Sequence, residues 1–142
     1  MKKVFIEGPI SAEFVAESIS KHLGKTDIGA HAIFLGQVRA DIINHQKVTH
    51  IEYSAYEEMA HQIFHEIREE CFQKFDIICM HIYHSIKQVN AGEISLFVFV
   101  SSKHRKIAFE ACEWVVEQIK QKVPVFGKEC FDNNNYQWKE NK

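Results

Sequence analysis

Apolar residues recur along this chain with two different periods, which predicts a fold made of both helices and strands. Helical spacing covers residues 11–23, 56–75 and the stretch from 105 to Pro124. Alternating or continuous apolar runs predict strands at 3–7, 29–39, 48–55, 77–84, 94–102, 125–131 and 136–138. Some strands are joined by hairpin-length gaps and others by helices. We therefore expect an α+β fold with a mixed, mainly antiparallel sheet and three helices.

Two of the predicted strands, 29–39 and 94–102, are apolar on both faces, which is typical of strands in the middle of a sheet. The segment 48–55 alternates well, and we expect it to pair with the strand before it as a hairpin. Gly36 interrupts the first of these strands. A glycine inside a strand is typical of a bulge or of a close backbone approach by a ligand.

The third helix breaks its own apolar stripe near its end. The stripe runs through Phe109, Cys112 and Val116, and Lys120 stands where the next apolar residue is due. A lysine in the last turn also suits the helix dipole and can lay its stem over apolar neighbours. A purely structural role for Lys120 is therefore the alternative to a chemical one.

The same helix begins next to a basic cluster, Lys103, His104 and Arg105. The amino-terminal end of a helix carries partial positive charge and free N–H groups, so anions bind there readily. These features predict a phosphate site, and the alternative is an ordinary solvated basic surface. Arg39, at the end of the strand that Gly36 interrupts, is a second candidate anion contact.

The composition is that of an ordinary globular protein, but its charge is unevenly distributed. Of 142 residues, 46% are hydrophobic and 25% are charged, which predicts one domain over residues 1–142 with a substantial core. Residues 1–102 carry 9 Lys/Arg and 13 Asp/Glu, a balance of −4, whereas residues 103–142 carry 8 and 6, a balance of +2. A local basic region on an acidic chain favours a small anionic ligand over nucleic acid.

The sequence gives no sign of export, membrane insertion or metal binding. No apolar run is long enough to span a membrane, and the amino-terminal segment lacks the features of a signal peptide. The four cysteines are widely spaced without a CxxC motif, and His81 and His84 point to opposite faces of a strand. We expect a cytoplasmic protein with reduced cysteines, no metal and no cofactor.

Five segments of the chain are informative in combination: FLGQVR (34–39), IEYSAYEEMA (51–60), NAGE (90–93), SSKHRKIAFEAC (101–112) and IKQKVP..GKE (119–129). In this order and spacing they resemble the large, catalytic subunit of molybdopterin synthase, the MoaE family. The resemblance runs from about Gly29 to Trp138. It implies the α/β-hammerhead-type fold of that family.

The resemblance implies that the chain is a sulfurtransferase. The family inserts two sulfurs into cyclic pyranopterin monophosphate and so forms the dithiolene of the molybdenum cofactor. The sulfur arrives as a thiocarboxylate on the C-terminal Gly-Gly of a small ubiquitin-like subunit. The family works as a homodimer of large subunits within a heterotetramer. The expected partners are thus the sulfur carrier and a pterin phosphate, with no nucleic acid and no membrane.

The resemblance also assigns site residues. Lys120 matches the family's essential lysine near the incoming thiocarboxylate, and Lys128 is the second candidate catalytic amine. The residues that match the substrate pocket are Gln37, Val38, Arg39, His104, Arg105, Lys120, Gly127, Lys128 and Glu129. Gly127 occupies the position of the family's second catalytic lysine. Lys128 faces the other side of a regular strand, so it can substitute for that lysine only if Gly127 allows a kink or bulge. The alternative function is a non-catalytic paralogue that binds the pterin phosphate or the carrier.

Arg105 and Lys120 cannot meet on one small ligand within a single chain. They are 15 residues apart on the predicted helix, which is about 22 Å along its axis at a rise of 1.5 Å per residue. We therefore expect a symmetric dimer whose sites combine Lys120 of one copy with His104 and Arg105 of the other.

Overall fold

The computed structural model describes residues 3–140, and within them it has three helices and eight strands. The helices are α1 (Ala12–His22), α2 (Glu57–Lys74) and α3 (Arg105–Lys122). The strands are β1 (Phe5–Glu7), β2 (Ala30–Gln37), β3 (Ile42–Ile43), β4 (Gln46–Ala55), β5 (Ile77–Asn90), β6 (Ile94–Ser102), β7 (Val125–Phe131) and β8 (Tyr136–Trp138). The ends of the predicted 1–142 domain, residues 1–2 and 141–142, lie outside the described range.

The strands form one sheet in the order β2-β6-β5-β4-β7-β8, with β1 paired to β5 and β3 paired to β4. The β1–β5 pair is parallel and the other pairs are antiparallel. The predicted α+β class, with three helices and a mixed, mainly antiparallel sheet, is confirmed. Among the described residues, no helix is both long and apolar enough to cross a bilayer.

The core is divided between the two faces of the central strand β6. Leu96, Val98 and Val100 pack on one face against α2 and α3, in the cluster that also holds Phe64 and Val115. Phe97 and Phe99 point to the other face, where α1 covers them. The continuous apolar run of β6 therefore follows from burial on both sides.

The helix ends follow from local chemistry. The side chain of Ser11 caps α1 by accepting a hydrogen bond from the Phe14 N–H at 3.0 Å, as predicted. Helix α3 ends at Lys122, two residues before Pro124, because a proline disfavours helical geometry in the residue that precedes it. These two boundaries place Lys120 in the last turn of α3.

Two predictions about strand positions are wrong. Strand β2 is the terminal strand of the sheet, not a central one, and β4 pairs with β5 and β7 rather than with β2. On β2, Ala32 and Phe34 pack against the main core, whereas Ile33 and Leu35 are 38% and 41% exposed. The apolar pattern on both faces of β2 thus belongs to an edge strand with one uncovered apolar face, a case that periodicity alone does not distinguish from a central strand.

Gly29 lies where the chain entering β2 crosses the segment that leads into α3. A Cβ atom on Gly29 would lie 2.1 Å from the carbonyl oxygen of Lys103. The N–H of Gly29 also donates to the Ser102 carbonyl at 3.0 Å, which fixes the two segments together. Glycine is therefore required here by close backbone approach.

We expect Gly29→Ala to lower the free energy of unfolding by about 1–3 kcal/mol, because the backbone at Lys103 must move to admit the methyl group. Gly24→Ala is the matched control, since a Cβ there meets no atom within 4 Å, and we expect it to change stability by less than about 0.5 kcal/mol. Urea denaturation of both variants measures the difference. Equal unfolding midpoints would contradict the close approach.

Candidate active site

A polar cleft of about 600 Å³ opens where the last turn of α3 meets the ends of β2, β7 and β8. We call it the Lys120 cleft. The polar side chains that line it are Gln37, Arg39, Asp41, Lys120, Glu129, Gln137, Lys139 and Glu140. Four of the residues predicted for the substrate pocket, Gln37, Arg39, Lys120 and Glu129, thus border one cleft.

Lys120 reaches this cleft from the half-buried side of α3. Burial lowers the pKa of the Lys120 amine, the neighbouring ammonium of Lys139 lowers that pKa further, and Glu117 opposes the shift. A lysine with a lowered pKa holds more neutral amine near neutral pH than an exposed one does. Lys120 is therefore suited to accept a proton or to attack a carbonyl carbon.

The position of Gly127 is completed by a residue from the neighbouring strand. The N–H of Lys139 donates to the Gly127 carbonyl at 2.8 Å, so these two residues lie side by side at the end of the β7–β8 pair. A Cβ on Gly127 would lie 3.5 Å from the Lys139 Cβ and 3.2 Å from Ile51 Cγ2. Lys139 therefore brings an amine into the cleft beside the position where the family pattern has a lysine.

Lys128 lies on the other face of β7. Its Nζ is 3.9 Å from Glu52 Oε2 and 4.1 Å from the centre of the Tyr136 ring. Side chains alternate along a strand, so Lys128 shares its face with Trp138, its register partner on β8, and not with Glu129. The register of β4 with β7 shifts between Val48 and His50, away from Gly127, so no bulge turns Lys128 toward Lys120.

The end of β2 brings the other predicted residues to the rim of the cleft. The register of β2 with β6 shifts between Gly36 and Gln37, so of the two expectations for this glycine, a bulge or a close approach by a ligand, the structure shows the bulge. Arg39 follows, with its side chain 76% exposed and paired to Asp41 at 3.3 Å. An exposed pair of this kind contributes little energy, so the guanidinium can turn to an anionic ligand.

Val38 and Glu129 are the buried members of the predicted set. Val38 packs in a small cluster with Val48 and Phe131, and both its backbone N–H and its carbonyl are hydrogen bonded. Glu129 is 7% exposed, and its Oε1 accepts a hydrogen bond from Gln137 at 3.2 Å. Val38 thus holds the strand that carries Arg39, whereas the Glu129 carboxylate faces the cleft.

His104 and Arg105 lie at the opposite end of α3 from Lys120. Both side chains are exposed, and His104 makes no capping hydrogen bond with its side chain. The first turn of α3 contains no acidic residue. The amino-terminal end of this helix, with Arg105 and Lys103, is therefore a basic region open to an anion, separated from the Lys120 cleft of its own chain by the length of the helix.

A buried histidine, which sequence reasoning did not assign to the site, lies beneath the cleft. His84 is 5% exposed, and its ring contacts Tyr53 with centroids 5.3 Å apart. Burial lowers the pKa of His84 to about 4, and the charges of Lys120 and Lys139 add to this effect, while a hydrogen bond with the Ser85 carbonyl opposes it. His84 is thus neutral at neutral pH and adds no charge beside Lys120 and Lys139.

Lys139 was also missed by sequence reasoning, although the predicted hairpin contains the signal for it. Strands at 125–131 and 136–138 around a short turn pair Cys130 with Tyr136. Counting outward from that pair places residue 139 opposite Gly127. The register, rather than any local motif, identifies this lysine as a neighbour of Lys120.

Residues 7–122 match the model of the MoaE protein family. The chain is 38% identical to the molybdopterin synthase catalytic subunit of Pyrococcus abyssi over 87% of this chain and 83% of the relative. It is 38% identical to the protein of that name from Bacillus subtilis over 86% of this chain and 76% of the relative.

Two solved structures share the fold. The crystal structure of molybdopterin synthase from Staphylococcus aureus matches with a TM-score of 0.85 and 30% identity over 98% of each chain. The protein–protein complex of subunits 1 and 2 of molybdopterin-converting factor from Helicobacter pylori matches with a TM-score of 0.80 and 19% identity, over 95% of this chain and 88% of that one.

We expect the buried, neutral His84 to make the protein acid-sensitive. Between pH 6.5 and about 4 the unfolded chain takes up a proton on this histidine and the folded chain does not, so stability falls as the pH falls through this range. The loss reaches about 3 kcal/mol at the acid end. Free energies of unfolding measured across this pH range should decline less steeply in His84→Gln than in the unchanged chain.

His65→Gln is the matched control, because it removes an exposed histidine from α2. This variant should keep the steep decline. A pH dependence that is the same in His84→Gln and in the unchanged chain would show that His84 is protonated in the folded state.

Proposed function

Because the chain belongs to the MoaE family of molybdopterin synthase catalytic subunits, we propose that it transfers sulfur to cyclic pyranopterin monophosphate in the Lys120 cleft. The observation that carries the proposal is a half-buried lysine with a lowered pKa, placed beside a second amine and an arginine in one polar cleft. The curated relatives are catalytic subunits, which favours this activity over that of a non-catalytic paralogue.

The donor is a thiocarboxylate at the C-terminal Gly-Gly of a small ubiquitin-like carrier. A chain end that narrow can enter a cleft of about 600 Å³ without displacing its walls. A nucleophile that attacks the carbonyl carbon of the donor places negative charge on the carbonyl oxygen, and the sulfur then leaves with the electron pair of the C–S bond. Cationic groups beside these atoms stabilise the charge that develops. Lys120 and Lys139 supply those groups, and the neutral fraction of Lys120 supplies a nucleophile or a proton acceptor.

The second amine is Lys139 in this chain. It lies beside Gly127 and shares the cleft with Lys120, whereas Lys128 is held on the other face by Glu52 and Tyr136. A lysine that directly follows β8 thus takes the place of the family's lysine on β7. A Cβ at position 127 would lie 3.5 Å from the Lys139 Cβ, in ordinary van der Waals contact, so the two positions are direct neighbours.

The chain forms a homodimer through the outer edge of β2. Within residues 3–140 this edge has no strand beside it, and Ile33 and Leu35 are partly exposed along it. On the adjacent helix α3, Phe109 is 65% exposed. An apolar edge with unpaired backbone groups favours association with a further strand, and a second copy of β2 provides one.

A two-fold axis at this edge makes each site composite. This axis makes the β2 strands of the two copies antiparallel, so the start of one β2 strand lies opposite the end of the other. The start of β2 pairs Ala30 with Ser102, close to His104, and its end borders the Lys120 cleft at Gln37. His104 and Arg105 of one copy thereby approach the cleft of the other, where they join Arg39 in binding the substrate phosphate.

The assembly works in the cytoplasm as a single-domain large subunit, with one sulfur carrier at each end of the homodimer. The site needs no cofactor or metal for sulfur transfer, because the amines and guanidinium groups supply the charge and the proton transfer.

Reconstitution with a thiocarboxylated carrier and the pterin tests the function, with dithiolene formation as the measurement. We expect turnover by the unchanged chain and a loss of about 10²–10⁴-fold in Lys120→Ala, because the proton-transfer group is removed. We expect Lys139→Met to lose at least about tenfold, because one charge beside the developing anion is missing. Lys128→Met is the matched control and should retain activity within about threefold.

A rescue experiment separates the role of Lys139 from a loss of structure. Adding Gly127→Lys to Lys139→Met returns an amine to the cleft from β7, so activity should recover. The absence of turnover in the unchanged chain would replace the enzyme with the non-catalytic paralogue. Loss in Lys128→Met with full activity in Lys139→Met would assign the second amine to Lys128.

Mixing inactive variants tests the composite site. Arg105→Ala and Lys120→Ala dimers should each be nearly inactive alone, since every site lacks one group. After subunit exchange, half of the dimers contain one copy of each variant, and one of their two sites is intact. We therefore expect about a quarter of the unchanged activity to return. No recovery, with exchange verified by mass spectrometry of tagged copies, would place all the groups of a site in one chain.

A further inference from the structure

On the sheet face opposite the Lys120 cleft, the end of α1 and the start of β5 bring together three side chains that the proposed function leaves unused. They are His22, Cys79 and His81. We propose that they form a site for one Zn²⁺-class ion, that is, a divalent transition-metal ion that prefers nitrogen and sulfur ligands. This site is independent of sulfur transfer, so a negative result for one proposal does not contradict the other.

The distances between the ligand atoms suit such an ion. The ring nitrogens of the two histidines and the Cys79 Sγ all lie within 4.8 Å of one another, and the two Nε2 atoms are 3.0 Å apart. Zinc binds nitrogen at about 2.0–2.1 Å and sulfur at about 2.3 Å, which sets its ligands roughly 3.3–3.8 Å apart in a tetrahedron. Small side-chain rotations would bring the distances between the three ligand atoms into this range.

His22 is already oriented as a ligand. Its Nδ1 is 2.6 Å from the Ser18 carbonyl oxygen, which accepts hydrogen bonds and cannot donate them. The Nδ1 of His22 therefore carries the proton, and in the neutral ring the lone pair is on Nε2, which points at His81. A backbone carbonyl that fixes the tautomer in this way is typical of histidines that bind metals.

The surroundings of the cluster also suit an ion with a thiolate ligand. His22 and Cys79 are 7% and 6% exposed, and the Phe99 ring lies 4.7 Å from the His22 ring between centroids. Lys25 Nζ lies 3.1 Å from Cys79 Sγ and donates to it. His81 is half-buried, so solvent reaches the edge of the cluster, and a water molecule is the expected fourth ligand of a tetrahedral ion.

Binding exchanges existing interactions for metal–ligand bonds. The ion replaces the His22–His81 hydrogen bond, and the Nε2 proton of His81 moves to its Nδ1. The thiol proton of Cys79 passes to solvent, so the ligand set becomes two neutral imidazoles and one thiolate. A thiolate and two imidazoles favour Zn²⁺ or Co²⁺ over Mg²⁺ or Ca²⁺, which prefer oxygen ligands.

A second group of the same residue types provides an internal control. His50, Glu52 and Cys130 also lie within 4.8 Å of one another. Here none of the three side chains is fully buried, and Glu52 is 48% exposed, so water competes for the ligands more than it does at His22 and Cys79, which are both buried. We therefore place the ion at Cys79 rather than at Cys130.

Titration of the chelator-treated full-length chain with Co²⁺ tests the site, because the absorption spectrum identifies the ligands. We expect one equivalent to produce a thiolate-to-cobalt charge-transfer band in the near ultraviolet and strong visible bands of a four-coordinate ion. One equivalent of Zn²⁺ should displace the bound Co²⁺ and raise the midpoint of the unfolding transition of the chain. Cys79→Ser should abolish the charge-transfer band, and His22→Ala should weaken affinity by at least about tenfold.

Cys130→Ser is the matched control and should leave the spectrum and the affinity unchanged. Circular dichroism of each variant verifies that the fold is retained, so a lost band reports a lost ligand. The proposal is overturned by a chain that gives no charge-transfer band with Co²⁺, by a band that persists in Cys79→Ser, or by a band that disappears in Cys130→Ser.

Discussion

The strict alternation of side chains along paired strands determines which charged groups of this protein meet. In the β4–β7–β8 part of the sheet, Gly127 and Glu129 face the Lys120 cleft, and Lys128 between them faces away. The register of β8 then places Lys139 beside Gly127. A shift of one residue would exchange the two faces and bring Lys128 to the cleft in place of Glu129. The chemistry proposed for the cleft therefore depends on strand register more than on the local sequence around any one residue.

The same cleft brings together groups that repel one another when charged. His84 lies beneath it almost fully buried, and the amines of Lys120 and Lys139 both disfavour the protonated form of its ring. Tyr53 beside it has a pKa raised by burial, and its hydroxyl donates to Ser95 at 3.2 Å. Lys139 is exposed, whereas Lys120 is half-buried, so burial acts on the Lys120 amine. It lowers the pKa of Lys120 and strengthens the attraction of its ammonium to a developing negative charge.

Sequence patterns predicted the helices well and the positions of the strands less well. Ser11 and Pro124 act through local geometry, so the start of α1 and the end of α3 were evident from a few residues. The edge position of β2 depends on which strands lie beside it, and its two-faced apolar pattern fits either an edge or a centre. Lys139 and the cluster of His22 with Cys79 and His81 depend on contacts between distant segments. The register of the β7–β8 hairpin was the sequence signal for the position of Lys139, and we find no sequence signal for the cluster of His22, Cys79 and His81.

The uncovered edge of β2 and the length of α3 are connected, because association at that edge bears on how the cations at the two ends of α3 can meet. Helix α3 holds Arg105 and Lys120 on opposite ends, about 22 Å apart along its axis, so one chain cannot place both on a small phosphorylated ring. An exposed apolar edge strand is a liability in a monomer, because its unpaired backbone groups invite association. Here the edge strand is β2, which starts beside the residues that lead into the basic start of α3 and ends at the rim of the Lys120 cleft. In the proposed dimer, antiparallel pairing of two such edges would cover the apolar surface and bring the separated cations together, so that one contact would supply both stability and a complete anion site.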